Sequence, residues 1–192
     1  SKQFKKCIIQ GNIKKNWSED KIPLSEIEYL KICDNDNLTR DFLKKFHISS
    51  FKKNYQVRIL NSKIDSDIIF SEFKRMNALF LDNCSFINNQ NIKIATQFNR
   101  LNLITHLDIT HTNIINLDLR ELKIKSIKIK DCLELTQIEM NIVDNLEHLE
   151  LVNLPKLGNL DRIMGLIKTK KLLSLHISNF HIISNVIDTL NQ

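Results

Sequence analysis

Hydrophobic residues recur along this chain in a short repeated unit. An apolar residue is followed by two residues of any kind, a second apolar residue, one further residue and a third apolar residue, and three positions later comes Asn, Cys or a substitute. The unit returns about every 20 to 28 residues, which indicates a repeat array. Eight copies cover nearly the whole sequence, and the third is the weakest because it opens on a polar residue. The copies open at Phe4, Ile27, Asn54, Met76, Ile104, Ile124, Leu146 and Leu172.

Each copy predicts one β-strand. The second and third apolar residues of a copy, such as Leu107 and Ile109, point to one face, and the residue between them, here Asp108, points to the other. The intervening segments are long enough for crossovers, so neighbouring strands can run parallel. The predicted fold class is an α/β solenoid, with a curved parallel β-sheet of about eight strands and with helices and turns on its convex side.

Apolar residues at helical spacing predict helices in some of the connections. Their apolar faces would be Phe42, Leu43 and Phe46; Ile69, Phe70 and Phe73; and Leu160, Ile163, Met164 and Ile167. Thr39 or Asn37 could cap the first helix, Asp65 or Ser66 precedes the second, and Asn159 precedes the third. The segment 115–122 is too short for a full helix, and the proline in Leu154-Pro155-Lys156 indicates a turn.

The residues that follow the strands resemble a known family. The turn position holds Asn12, Asn35, Ser62, Cys84, Thr112, Cys132, Leu154 and Phe180. The pattern resembles the cysteine-containing subtype of leucine-rich repeats, familiar from F-box substrate receptors, over essentially the whole chain. Members of that family place Asn or Cys at this position to satisfy buried backbone groups. Leu154 and Phe180 depart from the pattern, so the last two turns are expected to be packed rather than polar. The resemblance implies a fold and a binding surface, not a particular task.

Length and composition favour one elongated domain over residues 1–192, because no Pro/Gly-rich linker divides the chain. Because the strand pattern starts almost at the first residue, the ends are expected to need cover from further segments or from a partner. No run approaches the roughly 18 apolar residues of a membrane span, and no secretory leader opens the sequence. The four cysteines lack the paired spacing of a disulfide framework or metal site. Reduced thiols are therefore expected, in the cytoplasm or alternatively the nucleus.

Histidines at outward strand positions raise the question of metal binding. His106 with Asp108 and His148 with Glu150 would offer nitrogen and oxygen ligands. However, these strands are two apart, roughly 10 Å, and Lys128 is expected between them. The pattern favours a charge ladder from Asp108 through Lys128 to Glu150. We predict no metal, no cofactor and no catalytic residue, because three glycines cannot build a phosphate loop and no nucleophile is visibly paired with a base.

Outward positions at the strand centres define the surface that a partner would meet. In chain order they are Ile8, Lys31, Arg58, Phe80, Asp108, Lys128, Glu150 and His176. Tyr29, Arg58 and Phe80 are expected to converge, and aromatic and arginine side chains often dominate interface energy. The predicted partner-binding residues are Tyr29, Lys31, Arg58, Phe80, Asp108 and Lys128. The alternative is that Phe80 merely packs on the stem of Arg58.

Basic residues are concentrated near the N-terminal end. Residues 1–63 hold 14 Lys and Arg against 7 Asp and Glu, whereas residues 64–192 hold 14 against 15. Paired lysines there could contact phosphates without reading bases. These candidate RNA contacts are Lys5, Lys6, Lys14, Lys15, Lys44, Lys45, Lys52 and Lys53. The alternative is an ordinary solvated face, enriched in lysine by AT-rich codon usage.

Three functions fit these features. The leading prediction is a non-enzymatic scaffold that holds a protein partner on the concave sheet. The second is a ribosome- or ribonucleoprotein-associated factor that contacts RNA through its basic N-terminal third. The third, implied only by the repeat subtype, is a ubiquitin-ligase substrate receptor, which would need an F-box-like region before the repeats. Neither a small-molecule substrate nor a membrane is expected as a partner.

Overall fold

A computed structural model describes most of the repeat array. The described residues are 5–11, 26–46, 48, 51, 54–65, 72–73, 75–88, 90–93, 104–120, 122–141, 145–167 and 171–180. The predicted helix around Ile69 and Phe70 lies outside them. So do four of the candidate RNA contacts, Lys14, Lys15, Lys52 and Lys53.

Eight parallel strands form one main sheet. The strands of the described residues are β1 (Lys6–Gln10), β2 (Tyr29–Cys33), β3 (Tyr55–Leu60), β4 (Lys63–Ile64), β5 (Met76–Asp82), β6 (Ser85–Phe86), β7 (Asn91–Lys93), β8 (His106–Thr110), β9 (Asn116–Asp118), β10 (Ser126–Lys130), β11 (Gln137–Glu139), β12 (His148–Val152) and β13 (Ser174–Ser178). The main sheet has the order β1-β2-β3-β5-β8-β10-β12-β13. Every pairing within it is parallel and joins strands of successive copies. The predicted parallel solenoid is confirmed.

Inward residues of the main strands are apolar and buried. Leu107 and Ile109 of β8, and Ile127 and Ile129 of β10, are each at most 2% exposed. They belong to one buried cluster that runs from Ile9 to Ile163. Because burying one such side chain stabilises a fold by about 1.5–3 kcal/mol, the stacked inward rows hold the copies together.

Two short helices lie in the connections of the described residues, α1 (Arg40–Lys45) and α2 (Leu160–Leu166). Thr39 caps α1 as predicted, since its hydroxyl accepts a hydrogen bond from the Phe42 N–H at 3.3 Å. Asn159 precedes α2, but its side chain bonds the backbone of Ile138 instead. Each helix buries one residue completely or nearly so, Leu43 in α1 and Ile163 in α2.

Short strands, not only helices and turns, back the main sheet. The segment 115–122, predicted to be too short for a full helix, contains β9, which pairs with β7 on one side and β11 on the other. A second pair joins β4 and β6. Three residues cannot form a helical face, but Leu117 of β9 is buried between two polar neighbours in strand alternation. The predicted helices and turns therefore do not account for the whole backing layer, because backbone groups of successive copies also satisfy one another by strand pairing.

The helices of the described residues are too short and too polar to cross a membrane.

Candidate functional site

Parallel pairing places the outward side chains in straight rows across the main sheet. They lie on the side of the sheet opposite the buried core, which we call the outer face. The register matches Ile8 with Lys31, Lys31 with Arg58, Arg58 with Phe80, Phe80 with Asp108, Asp108 with Lys128, Lys128 with Glu150 and Glu150 with His176. This central row has the order that the repeat pattern predicts. Neighbouring members lie on strands about 4.8 Å apart, close enough for their side chains to interact.

The first half of the outer face carries an apolar and cationic cluster, which we call the N-terminal patch: Ile8, Tyr29, Lys31, Arg58 and Phe80. The guanidinium carbon of Arg58 lies 4.8 Å from the centroid of the Phe80 ring. These two residues therefore meet as predicted, in a cation–π contact. Tyr29 is not held by Arg58; the ammonium of Lys6 lies 5.4 Å from its ring centroid. Ile8 is 54% exposed at the end of the row.

No carboxylate of the described residues neutralises the cations at the centre of the N-terminal patch. Neither Lys31 nor Arg58 has one of these carboxylates at salt-bridge distance. Within the described part of the chain, the positive charge of this surface is therefore uncompensated.

The second half of the outer face neutralises its own charges. Lys128 lies 3.5 Å from Asp108, and Glu150 lies 2.6 Å from Lys130 and 3.3 Å from the Nδ1 of His176. The predicted order of the charge ladder is confirmed, because Lys128 is in register with both Asp108 and Glu150, but Glu150 forms its ion pair with Lys130 rather than with Lys128. Lys130 is one outward position further along β10, within diagonal reach across adjacent strands. Asp108 and Lys128 occupy their predicted places, and they form an ion pair with each other.

The ion pairs around Glu150 predict an acid-sensitive contribution to stability. The hydrogen bond from Lys130 is the largest cause that holds the pKa of Glu150 below its usual 4.5, and the charges of Lys130 and Lys128 and a hydrogen bond with His176 add to it. A carboxylate with a lowered pKa stabilises the fold above its unfolded pKa, and this stabilisation is lost as pH falls through the folded value. We expect Glu150→Gln to flatten the loss of stability below about pH 4.5, measured by urea unfolding over a pH series. Lys130→Met should also flatten this loss, because the pKa of folded Glu150 then returns toward its unfolded value. Unchanged curves in both variants would contradict the pairing.

The described lysines of the candidate RNA set do not share one surface. Lys6 stands on the outer face over Tyr29, and Lys5 lies 3.5 Å from Glu28. Lys44 and Lys45 are exposed in the last turn of α1, in the layer that backs the sheet. The described lysines of the basic N-terminal third are therefore divided between two layers of the fold.

A row of residues with left-handed backbone follows the main strands and was not recognised in the sequence. The positive φ angles occur at Gly11, Asp34, Asn61, Asn83, His111, Asp131, Asn153 and Asn179. Only Gly adopts this conformation freely, and Asn, Asp and His are the most tolerant of the other residues. The signal was present, because the second residue after the third apolar position is Gly, Asp, Asn or His in every copy. We call these residues the turn row.

Side chains of the turn row are joined to their neighbours. Asn83 donates to Asn61 at 2.9 Å and Asn61 donates to Asp34 at 3.1 Å, while Asn153 donates to Asp131 at 2.7 Å. His111 lies between two carboxylates, with its Nδ1 3.1 Å from Asp82 and its Nε2 3.5 Å from Asp131. An open groove of about 590 Å³ follows this edge of the sheet. In the described part of the chain, no cluster of His, Cys, Asp and Glu has the arrangement of a metal site.

No protein-family model, curated protein or solved structure matches this chain. Function is therefore inferred from the chemistry of the protein's surfaces.

The cysteines of the turns are structural groups. Cys84 lies 3.4 Å from the carbonyl oxygen of Ile59, and Cys132 lies 3.3 Å from the hydroxyl of Thr112. Burial raises the pKa of the Cys84 thiol to about 11 and raises that of Cys132 as well. Both are therefore protonated thiols at neutral pH, and a thiol reacts as a nucleophile only after it loses its proton.

Proposed function

We propose that this protein is a non-enzymatic interaction module, built from copies of leucine-rich-repeat type, that holds a protein partner on its outer face. The turns support the repeat type. The buried side chain of Asn35 donates to the Gly11 carbonyl in the preceding turn at 3.2 Å and accepts from the N–H of Asn37 at 3.0 Å. Cys84 contacts the Ile59 carbonyl from the corresponding position two copies later. Satisfying backbone groups in this way is the role that the family assigns to the turn position.

The contrast between the two halves of the outer face carries the proposal. Ion pairs saturate the second half, whereas the N-terminal patch combines an exposed Ile8, an arginine stacked on Phe80 and a lysine without a carboxylate partner among the described residues. Stacked aromatic and arginine side chains are the groups that most often anchor protein interfaces. The patch is therefore the part of this face on which a partner would gain most from contact.

Reversing the charge of Arg58 should abolish capture of the partner. We expect the tagged protein to retain a stoichiometric protein partner from a lysate of its own cells, and Arg58→Glu to reduce its recovery at least tenfold, about 1.4 kcal/mol. Lys123→Glu is the matched control, because Lys123 is equally a surface cation but lies in the connection before β10. Ribonuclease-treated samples of all three proteins would be compared by quantitative mass spectrometry. Equal recovery by Arg58→Glu and Lys123→Glu would contradict the proposal.

A ribosome- or ribonucleoprotein-associated factor is the second candidate, favoured by the exposure of Lys44 and Lys45 at the end of α1. The same capture experiment separates it from the first. If RNA holds the complex together, ribonuclease will release the captured proteins, added salt will weaken binding steeply, and Arg58→Glu will have little effect.

A further inference from the structure

We propose that the N-terminal patch recognises an acidic polypeptide segment that also carries an apolar side chain. This inference rests on the proposed function and names the chemical class of the partner.

Arg58 is already held in position to bind a carboxylate. Its guanidinium stacks on Phe80 at 4.8 Å, which restricts the rotation of a long side chain before any partner arrives. None of its N–H groups has a hydrogen-bond partner among the described residues. A planar guanidinium presents parallel donors that match the two oxygens of a carboxylate. Stacking on Phe80 therefore positions the guanidinium, and its N–H donors would bind the carboxylate of the partner.

Lys31 and Ile8 extend this site along the central row. Lys31 is in register with Arg58 on one side and with Ile8 on the other. The row from Ile8 to Arg58 crosses three strands, about 10 Å. An extended segment places alternate side chains about 6.8 Å apart, so three of them cover the row and extend slightly beyond it. Two carboxylates and one apolar side chain would meet Arg58, Lys31 and the exposed Ile8, and the long side chains of Arg58 and Lys31 can adjust to the difference in spacing.

The borders of the patch favour carboxylates of a polypeptide over phosphates of a nucleic acid. Asp108 follows Phe80 in the row, so a phosphate chain that continued along the sheet would meet a negative charge. The rings of Phe80 and Tyr29 each have a cation over one face, which occupies the surface that a stacked base would need. A short acidic segment avoids both restrictions.

Binding of a synthetic peptide tests the proposal. The probe is a fluorescent peptide of about eight residues in which Glu and Leu alternate, followed by anisotropy; the comparison probes are its Gln-for-Glu analogue and an oligouridylate of similar charge. We expect the Glu-containing peptide to bind best. Arg58→Glu and Lys31→Glu should each weaken it at least tenfold, whereas Lys123→Glu should change it less than twofold. Circular dichroism would verify that each variant is folded.

Each other outcome overturns the proposal in a distinct way. Tighter binding of the oligouridylate, lost in Arg58→Glu, would make this face a nucleic-acid site. Peptide binding that survives both patch substitutions would place the acidic site elsewhere on the protein. If the peptide does not bind but Arg58→Glu still loses the partner captured from lysate, the proposed function stands and the acidic class is wrong. If neither depends on Arg58, both are wrong.

Discussion

Truncation of Ile129 to alanine should destabilise the protein by about 2–5 kcal/mol, the largest effect that we expect from one substitution. Ile129 is completely buried at the second inward position of β10, in register with Ile109 and Leu151 on the neighbouring strands. The substitution removes buried carbon atoms and leaves a cavity. Hydrogen bonding on both sides of β10 fixes its distance from those strands, so the core cannot close around the gap.

Equilibrium unfolding in urea measures this loss, and Lys128→Ala is the matched control. Lys128 precedes Ile129 in the same strand but points to the outer face, where its ion pair with Asp108 is partly solvated. Its removal should change the free energy of unfolding by no more than about 1 kcal/mol. Similar losses in both variants would refute the assignment of inner and outer faces. A reduced m-value in Ile129→Ala would show instead that the array unfolds in two parts, divided near β10.

The main sheet was predictable because strand alternation leaves only one register that buries every apolar row. A slip of one residue would expose Leu107 and Ile109 and bury Asp108, so the order of the central row follows from burial alone. The proximity of Arg58 to Phe80 follows from the same register. The register does not determine whether Glu150 pairs with Lys128 or with Lys130, because both side chains can reach it. The relative energies of their rotamers determine the partner.

The backing layer was less predictable because its strands are too short to carry a period. β9 has a single buried residue, Leu117, and its pairing partners come from copies 20 or more residues away in sequence. Local propensity is weak in such segments, and the position of the neighbouring copies decides their conformation. The helix α1 was recognisable because Thr39 and the apolar spacing of Phe42, Leu43 and Phe46 agree with each other.

The turn row was visible in the sequence, since each of its positions holds one of only four residue types. The leucine-rich-repeat pattern does not indicate this row, because that pattern is defined by the next residue, the turn position, which is buried in the copies from Asn35 to Leu154. Asn61 and Ser62 show that the turn row and the turn position have different roles. Ser62 is 3% exposed and satisfies backbone groups. Asn61 is exposed and turns the chain with a φ of 48°. Residue type in the turn row is thus constrained by backbone conformation rather than by burial.

Substitution of Asn61 by valine should therefore destabilise the protein by about 2–3 kcal/mol, although the side chain is exposed. Left-handed backbone costs an ordinary L-residue about 1–2 kcal/mol, and a β-branched side chain is the least suited to it. The substitution also removes the hydrogen bonds of Asn61 with Asp34 and Asn83, which together contribute about 1 kcal/mol.

Asn61→Gly separates these two contributions. Glycine loses the same hydrogen bonds but adopts the required φ without strain, so we expect it to cost about 1 kcal/mol or less in the same urea titration. The difference between the two variants then measures the conformational term at a turn that the array repeats after the main strands. If valine and glycine were equally destabilising, the hydrogen-bonded ladder, and not the left-handed backbone, would be the reason for Asn, Asp, His and Gly in the turn row.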